Sequence, residues 1–162
     1  MTDLAWFVAH TRSRREKKLK RYCESEGILV KLPCYRTVHK YRGKTVVFAK
    51  PLFPGYVFLQ LLPEQRQKLV QNENVTRLLV VHDQVLFVQQ LAEILKALET
   101  NLEVFLAPAI GAGSRVKIKS GPLRGMEGWV EQRRGMTTVL LRLDFIGQAA
   151  AVKVQADELE LI

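Results

Sequence analysis

The chain of 162 residues is long enough for one medium-sized domain or two small ones. Apolar residues make up 48% of the chain, which supports packed cores and excludes a disordered protein. The 25 Lys and Arg outnumber the 16 Asp and Glu, so the net charge is +9 and the isoelectric point is near 9.8. Such a surplus favours a polyanionic partner, nucleic acid before a membrane surface, over a purely solubilising role.

Several simple sequence features indicate the cellular setting. Cys23 and Cys34 do not form a C-x-x-C pair, so we expect reduced thiols. The first residues lack a basic segment followed by a long apolar run, so we predict no signal peptide. No apolar stretch approaches the roughly 20 residues that a membrane span requires. We therefore expect a soluble, cytoplasmic protein, and we expect it to be a monomer.

The first elements alternate between strands and helices. Residues 4–10 predict a strand, and Ser13 with Glu16 has the spacing of a capping box before a helix over 14–26 that ends at Gly27. Pro33 interrupts a strand over 28–41, and Arg42-Gly43 predicts the turn of a hairpin that returns through 45–48. An aromatic strand follows over 55–61.

The next elements complete a first domain over 1–105. Pro63 starts a short helix, 78–81 predicts a strand, and apolar residues at helical spacing predict a helix over 89–99. Strands interleaved with helices predict a ferredoxin-like α/β sandwich. We expect a linker over 106–113, where the sequence is small, uncharged and rich in Pro and Gly.

Beyond this linker, residues 114–162 predict only strands. Glycines and charged residues separate five short apolar segments, so we predict a small β-barrel and an α+β fold class for the whole chain. Five glycines between 121 and 147 argue against an α-helical alternative for this domain. The predicted strands cover 115–119, 128–133, 137–143, 149–154 and 158–161.

The positive charge is concentrated at one place in the first domain. Residues 1–106 carry a net charge of +7 and the remainder +2, and seven cations fall within 12–21 with only Glu16 among them. We predict that this helix faces nucleic-acid phosphates, a contact that carries no sequence information. The alternative is a solvated face without a ligand. The predicted nucleic-acid contacts are Arg12, Arg14, Arg15, Lys17 and Lys18, extended by Arg42 and Lys44 at the hairpin tip.

Two motifs carry a family resemblance. Residues 51–58 read PLFPGYVF, a rigid entry into an aromatic strand, and residues 113–130 read GSRVKIKSGPLRGMEGWV, a half-buried strand followed by a glycine-marked turn. The first resembles a signature of the NusG/RfaH family of transcription elongation factors, and the second resembles a KOW motif. Their order resembles the layout of that family, an NGN domain followed by an SH3-like KOW domain, over essentially the whole chain.

The resemblance implies a protein that rides on bacterial RNA polymerase and suppresses pausing. Family members dock an apolar depression of the NGN domain onto the clamp coiled coil. We expect Phe53 to be the best contact, because the flanking prolines favour a rigid, exposed ring. The resemblance also implies a second polymerase contact, at the gate loop, and Lys68 is the residue that would make a modified form of it. The positions that match the docking surface are Val8, His10, Phe53, Tyr56 and Phe58, with Leu95 and Leu98 on a neighbouring helix; for Val8 and Leu98 we favour a core role.

The resemblance also implies partners for the two basic segments and for the barrel. RfaH-like members hold the non-template DNA strand with residues that match Arg12, Arg42 and Lys44. The KOW domain binds a ribosomal protein or Rho through a loop that matches Phe145-Ile146, for which a structural role is an equal alternative. The basic helix and compact linker favour a specialised RfaH-like antiterminator; the alternatives are a housekeeping NusG-type factor and an RNA-binding, ribosome-associated KOW protein.

No pattern in the sequence predicts an enzyme. His10, His39 and His82 are scattered without an acidic partner at a recognisable spacing. The sequence contains no phosphate-binding G-x-x-x-x-G-K-[ST] loop and no zinc ligand set. We therefore expect neither catalysis, nor a cofactor, nor a metal.

Overall fold

The computed structural model describes residues 3–108, 113–133 and 136–162. Internal packing divides the chain into two compact units, Met1–Gln84 and Val85–Ile162. The elements of the first unit are β1 (Ala5–Thr11), α1 (Glu16–Ser25), β2 (Leu29–Lys31), β3 (Cys34–Tyr41), β4 (Lys44–Pro51), β5 (Tyr56–Leu61), a 3-10 turn (Pro63–Gln65) that runs into α2 (Arg66–Val70), and β6 (Val75–Val80).

Four strands of the first unit form an antiparallel sheet in the order β2-β5-β1-β6. This is the order of a ferredoxin-like sheet, in which each strand–helix–strand crossover leaves room for one strand between its ends. One sheet face carries Phe7 and Ala9, which form a core with Leu19 and Cys23 of α1 and Leu69 of α2. The predicted ferredoxin-like sandwich is confirmed at the level of this α+β architecture.

Helix α1 begins later than predicted. The capping box is wrong: Arg15 precedes the helix without a side-chain cap, and Arg14 has a left-handed backbone with φ 61°. Glu16 does not reach back to Ser13, because its Oε2 accepts a hydrogen bond from the Gly55 N–H at 3.1 Å. The predicted stop at Gly27 is confirmed, since the Gly27 and Ile28 N–H groups donate to the carbonyls of Glu24 and Cys23.

Strands β3 and β4, which follow β2 and precede β5 along the chain, form a separate two-stranded sheet. Arg42 and Gly43 form its two-residue turn with φ 47° and 79°, as a type I′ hairpin requires. The predicted hairpin is therefore confirmed. It is longer than expected, because β4 continues as far as Pro51.

In the second unit, the described residues form one α-helix and a six-stranded antiparallel sheet in the order β12-β8-β9-β10-β11-β7. Gly128 lies where a side chain would not fit, because a Cβ there would be 2.5 Å from the Leu140 carbonyl oxygen. Its elements are α3 (Gln84–Leu98), β7 (Val104–Pro108), β8 (Arg115–Ile118), β9 (Glu127–Arg133), β10 (Met136–Leu143), a 3-10 turn (Asp144–Ile146), β11 (Gln148–Lys153), a 3-10 turn (Ala156–Glu158) and β12 (Leu159–Leu161).

Strand β7 differs from the irregular linker predicted over 106–113. Residues 104–108 pair with β11, so the first part of the predicted linker belongs to the sheet. Residues 104–108 are too few to show a clear alternation of apolar and polar side chains, and among the described residues the strand that pairs with them is β11. Residues 109–112 of the predicted linker lie outside the described residues. The domain boundaries at 105 and 114 stay predictions, while the packing boundary lies after Gln84.

Candidate nucleic-acid and partner interfaces

Helix α1 separates an apolar inner face from a cationic outer face. Leu19 and Cys23 are fully buried, whereas Lys17 and Lys18 are exposed. Glu16, the one acid among the cations of 12–21, is buried at 8% exposure and faces Gly55. Its carboxylate therefore does little to offset the charge that the outer face presents to solvent.

The segment before α1 contains three of the predicted arginines, each in a different environment. The Arg12 Nε donates to the Glu73 carbonyl at 2.8 Å, and its backbone N–H donates to the Asn74 carbonyl at 3.0 Å. Arg12 is exposed, so its remaining guanidinium N–H groups are available to a ligand. Arg14 is exposed on a left-handed backbone, and Arg15 is half-buried at the helix start.

The β3–β4 hairpin is the second cationic element. Arg42 and Lys44 are exposed at its tip, as expected for nucleic-acid contacts. Sequence reasoning missed the other cations of the segment that contains the hairpin: residues 27–63 contain six Lys or Arg and no Asp or Glu. An acid-free stretch of this length was visible in the sequence as a signal. The four cations missed are Lys31, Arg36, Lys40 and Lys50.

A direct contact joins the two cationic elements. The Lys17 Nζ donates to the Ala49 carbonyl of β4 at 2.6 Å. Ala49 lies five positions along the chain from Lys44, about 17 Å of strand, so the hairpin carries positive charge well beyond α1. The sequence prediction that Arg42 and Lys44 extend the patch of α1 fits this contact, while the role of each residue stays a prediction.

The predicted polymerase-binding residues of the sheet lie together on one face. Val8 pairs with Phe58, and His10 pairs with Tyr56 two residues along, so the four side chains share the face opposite the α1–α2 core. The His10 and Tyr56 rings are 5.3 Å apart, and the Thr76 Oγ1 donates to the His10 carbonyl at 2.8 Å. His10 is exposed and Tyr56 half-buried, whereas Val8 and Phe58 are fully buried.

Phe53 is buried, contrary to the expected exposed presentation. It is 1% exposed, and its ring packs edge-on against Phe58 at 6.3 Å. The two prolines do fix the loop, which is closed by the Tyr56 N–H donating to the Phe53 carbonyl at 3.2 Å. The rigid loop turns the ring inward, because an aromatic side chain of this size gains more from burial than from solvent.

The other predicted polymerase contacts lie elsewhere. Lys68 of α2 is exposed and forms an ion pair with Glu26 at 3.6 Å, a surface pair that contributes little to stability. Leu95 and Leu98 of α3 are half-buried and belong to the second unit.

The predicted partner-binding pair of the barrel lies in the 3-10 turn between β10 and β11. Phe145 and Ile146 are both half-buried, and the Phe145 ring packs edge-on against Phe87 of α3 at 6.2 Å.

Two arginines of the same sheet lie over the Trp129 ring: the guanidiniums of Arg115 and Arg142 are 5.2 and 4.8 Å from its centre. Each of these arginines also pairs with a carboxylate, Glu127 or Asp144.

Both cysteines are free thiols, one buried and the other half-buried. Cys23 is fully buried, and burial raises the pKa of its thiol to about 11, with the charge of Glu24 adding to the effect. Burial also raises the pKa of the Cys34 thiol, while Lys17 and Lys20 act in the opposite direction. Within the described ranges, no three His, Cys, Asp or Glu side chains are grouped so as to hold a metal ion.

The described part of the chain has no helix of the length and apolarity needed to cross a membrane. This observation concerns residues 3–108, 113–133 and 136–162 only.

Comparison with known proteins supplies the family. The model of the family described as "Transcription termination factor nusG" matches residues 4–97. The protein named transcription termination/antitermination protein NusG from Lactococcus lactis is 27% identical to this chain over 98% of this chain and 93% of the relative. The protein of that name from Borreliella burgdorferi is 25% identical over 98% of both chains. The protein of the same name from Staphylococcus carnosus is 28% identical over 96% of this chain and 94% of its own. With a matched segment that spans strands β1 to β6 and nearly all of α3, the chain belongs to the NusG family of transcription termination and antitermination factors.

Proposed function

We propose that this protein is a transcription elongation factor that binds RNA polymerase and holds the non-template DNA strand through its cationic surface. The observation that carries the proposal is the continuity of that surface: α1 and the acid-free hairpin are joined by the hydrogen bond from Lys17 to Ala49. Cations on two joined elements suit an extended phosphate backbone, because each phosphate contact adds an electrostatic term to affinity.

Polymerase docking is assigned to the sheet face around His10 and Tyr56. These two side chains are accessible to a partner, whereas Val8 and Phe58 beside them on the face are buried, as is Phe53, which packs on Phe58. An exposed polar ring beside a partly buried aromatic one resembles the anchors that dominate protein interfaces. The clamp coiled coil of the polymerase is the partner that the family resemblance implies.

The docking assignment is tested with the isolated clamp coiled coil and two matched histidine variants. His10→Ser removes the exposed ring of the proposed face, and His82→Ser removes an exposed histidine outside it. We expect His10→Ser to weaken binding by about tenfold, the scale of a hot-spot side chain, and His82→Ser to leave it unchanged. Equal affinities for both variants would contradict this docking face.

The DNA assignment is tested by transcription on a template with a pause site. The wild-type protein is expected to speed escape from the pause, and a variant with Arg12, Arg42 and Lys44 all changed to Gln is expected to lose most of this effect while it still binds the polymerase. A full effect in the triple variant would contradict the role of the cationic surface.

The same assay with Rho separates two modes of action. Resistance to Rho indicates a specialised RfaH-like antiterminator, which the dense charge of residues 12–21 favours. Stimulation by Rho indicates a housekeeping NusG-type factor, a function equally compatible with the names of the relatives, which combine termination and antitermination. The barrel is assigned to a second protein, a ribosomal protein or Rho, at Phe145-Ile146.

A second candidate function is RNA binding on the ribosome through the same cationic surface. The absence of acids between Gly27 and Pro63 favours any polyanion, RNA included. Tight binding to structured RNA, together with no affinity for the clamp coiled coil, would favour this function over the first.

A further inference from the structure

Aromatic side chains lie together on one face of the β3–β4 hairpin. Thr37 pairs with Phe48, and directly paired residues share a face of a sheet. Two-residue steps along β3 keep His39 and Tyr41 on that face. The rings of His39 and Phe48 are in contact, with centres 5.4 Å apart and planes at 69°, as this register requires. We call this side of the hairpin the aromatic face; its rings are Tyr35, His39, Tyr41 and Phe48.

The rings of the aromatic face are accessible to a ligand. Phe48 is 42% exposed and Tyr41 is 64% exposed, and His39 is exposed as well. Rings that meet across two strands do stabilise a hairpin. A ring that served only this purpose would be expected to bury more of its surface than Tyr41 does, because the stabilisation comes from burial.

Cations flank the rings on the same face. Lys44 is the direct partner of Tyr41 near the tip, and Lys50 is the direct partner of Tyr35 near the base. Both lysines are exposed, and residues 27–63 contain no Asp or Glu to neutralise them. A ligand that suits this face therefore combines negative charge with flat rings. A nucleic-acid strand has both, since a phosphate accompanies every base.

We propose that the aromatic face stacks on unpaired bases, so that the hairpin selects a single strand over a duplex. The proposal rests on the proposed function, which assigns the tip of the hairpin to the non-template DNA strand through phosphates alone. A phosphate contact does not distinguish a single strand from a duplex, whereas a stacking contact does. The bases of a duplex are stacked on one another and present only their edges in the grooves.

The spacing of the aromatic face suits stacked bases. His39 and Tyr41 are two residues apart on β3, which places their Cα atoms about 7 Å from each other. This distance is about twice the 3.4 Å that one stacked nucleotide occupies, so the strand leaves room for a base between the two positions. Stacking on aromatic rings tolerates any base, so we expect selection for unpaired strands without selection for sequence.

The opposite face of the hairpin provides a natural control. It carries Val38 and Val47, a directly paired couple that is more exposed than Phe48, with Arg36 and Lys40 beside it on β3. The two faces therefore share cations and exposed apolar surface, but they differ in aromatic rings. Only the aromatic face offers a π-system on which a base can stack.

Stacking is tested with two labelled strands and the full-length chain, by fluorescence anisotropy at low salt. One strand is a thymidine oligonucleotide, and the other has the same length and phosphates but abasic sugars. We expect wild type to bind the thymidine strand about tenfold more tightly than the abasic strand. Tyr41→Leu with Phe48→Leu is expected to lose this preference and to bind the abasic strand within about twofold of wild type.

Two further variants test whether the effect belongs to the rings. Val38→Leu with Val47→Leu makes the same number of changes to leucine on the opposite face and is expected to keep the preference. Phe48→Trp keeps a ring on the aromatic face and is expected to keep it too. A preference that survives in Tyr41→Leu with Phe48→Leu would overturn the proposal. If that variant instead binds core RNA polymerase more weakly, the face is assigned to a protein.

The wild-type protein alone separates this proposal from the proposed function. Equal affinity for the two strands would overturn stacking and leave the phosphate contacts standing, whereas binding to neither strand would overturn both. Photocrosslinking of wild type to a strand with 5-iodouracil, mapped by mass spectrometry, gives an independent measurement. We expect crosslinks at His39, Tyr41 or Phe48, and crosslinks confined to residues outside the aromatic face would overturn the proposal.

Discussion

The β3–β4 hairpin and the four-stranded sheet of the first unit are built from the same kind of strand but use it in opposite ways. The sheet buries Phe7, Ala9, Val57 and Leu59 on one face against α1 and α2. The hairpin leaves Val38 and Val47, a directly paired apolar couple, 63% and 57% exposed. An isolated two-stranded hairpin is marginally stable in water, so this one depends on its turn and on contacts at its base.

The difference shows that, in this unit, the residues that stabilise the fold and the residues available for binding lie in different regions. Contacts at the hairpin base include the bond from Lys17 to Ala49 and the Leu52 N–H donating to the Pro33 carbonyl at 2.9 Å. Beyond the base, the hairpin offers exposed cations and apolar side chains without a core to protect. Substitutions in the sheet should therefore change folding, and substitutions in the hairpin should change binding.

The largest expected effect comes from the same substitution made on the hairpin and in the loop that packs on strand β5 of the sheet. Phe53→Ser empties a fully buried site and is expected to lower the free energy of unfolding by about 3–5 kcal/mol. Phe48→Ser, on the hairpin at 42% exposure, is expected to cost less than about 1 kcal/mol. Urea denaturation measures both values, and equal losses would remove the distinction between the two regions.

A smaller effect is expected on binding when the hairpin tip loses its charge. Arg42→Asn with Lys44→Gln removes two cations, and Asn suits the positive φ of the turn better than Arg. Affinity for a single-stranded DNA oligonucleotide is expected to fall about tenfold at low salt, with the slope of log K against log salt reduced by about 1.4. Lys119→Gln with Lys153→Gln in the barrel is the control, and a similar loss there would mean that the binding is not localised to the hairpin.

A still smaller, local effect is expected from the contact at the base of the hairpin. Lys17→Met keeps the aliphatic stem and removes the donor to Ala49, so β4 is expected to open more readily by about 1 kcal/mol. Amide exchange in β4 should rise about fivefold, while exchange in β5 stays unchanged. Lys18→Met, at an exposed position that is adjacent in sequence, should leave both strands as in wild type.

The smallest effect is chemical and leaves the structure intact. Because burial raises the pKa of Cys23 to about 11, its reactive thiolate is scarce at pH 8 and increases only as the pH approaches that value. Iodoacetamide at pH 8 is therefore expected to label the half-buried Cys34 first, as mass spectrometry would detect. Equal labelling of the two thiols in the folded protein would contradict the burial of Cys23.

The sequence predicted the features whose causes are local. The hairpin turn at Arg42-Gly43, the helix stop at Gly27 and the strands of the barrel were found because glycine and alternating apolar residues specify them within a few positions. The clustering of Val8, His10, Tyr56 and Phe58 on one sheet face followed from the family resemblance, and the register of β1 and β5 accounts for it.

The features that sequence reasoning missed depend on contacts between distant residues. The spacing from Ser13 predicts that Glu16 caps its own helix, but its carboxylate accepts a hydrogen bond from Gly55, 39 positions away. The Phe53 ring is buried because it meets Phe58 across a turn, a contact that flanking prolines do not reveal. The strand at 104–108 forms only because β11 offers a free edge, a partner that a local pattern cannot identify.

Because β7 is paired with β11, the segment between α3 and β7 limits the distance between the barrel and the end of α3. Only residues 99–103 connect the end of α3 to β7, a span of about 20 Å when fully extended. A partner protein bound at the Phe145-Ile146 turn, as proposed above, would therefore stay within about that distance of α3. Lengthening this segment would change no proposed binding residue, and it would increase the distance from α3 that a partner of the barrel can reach.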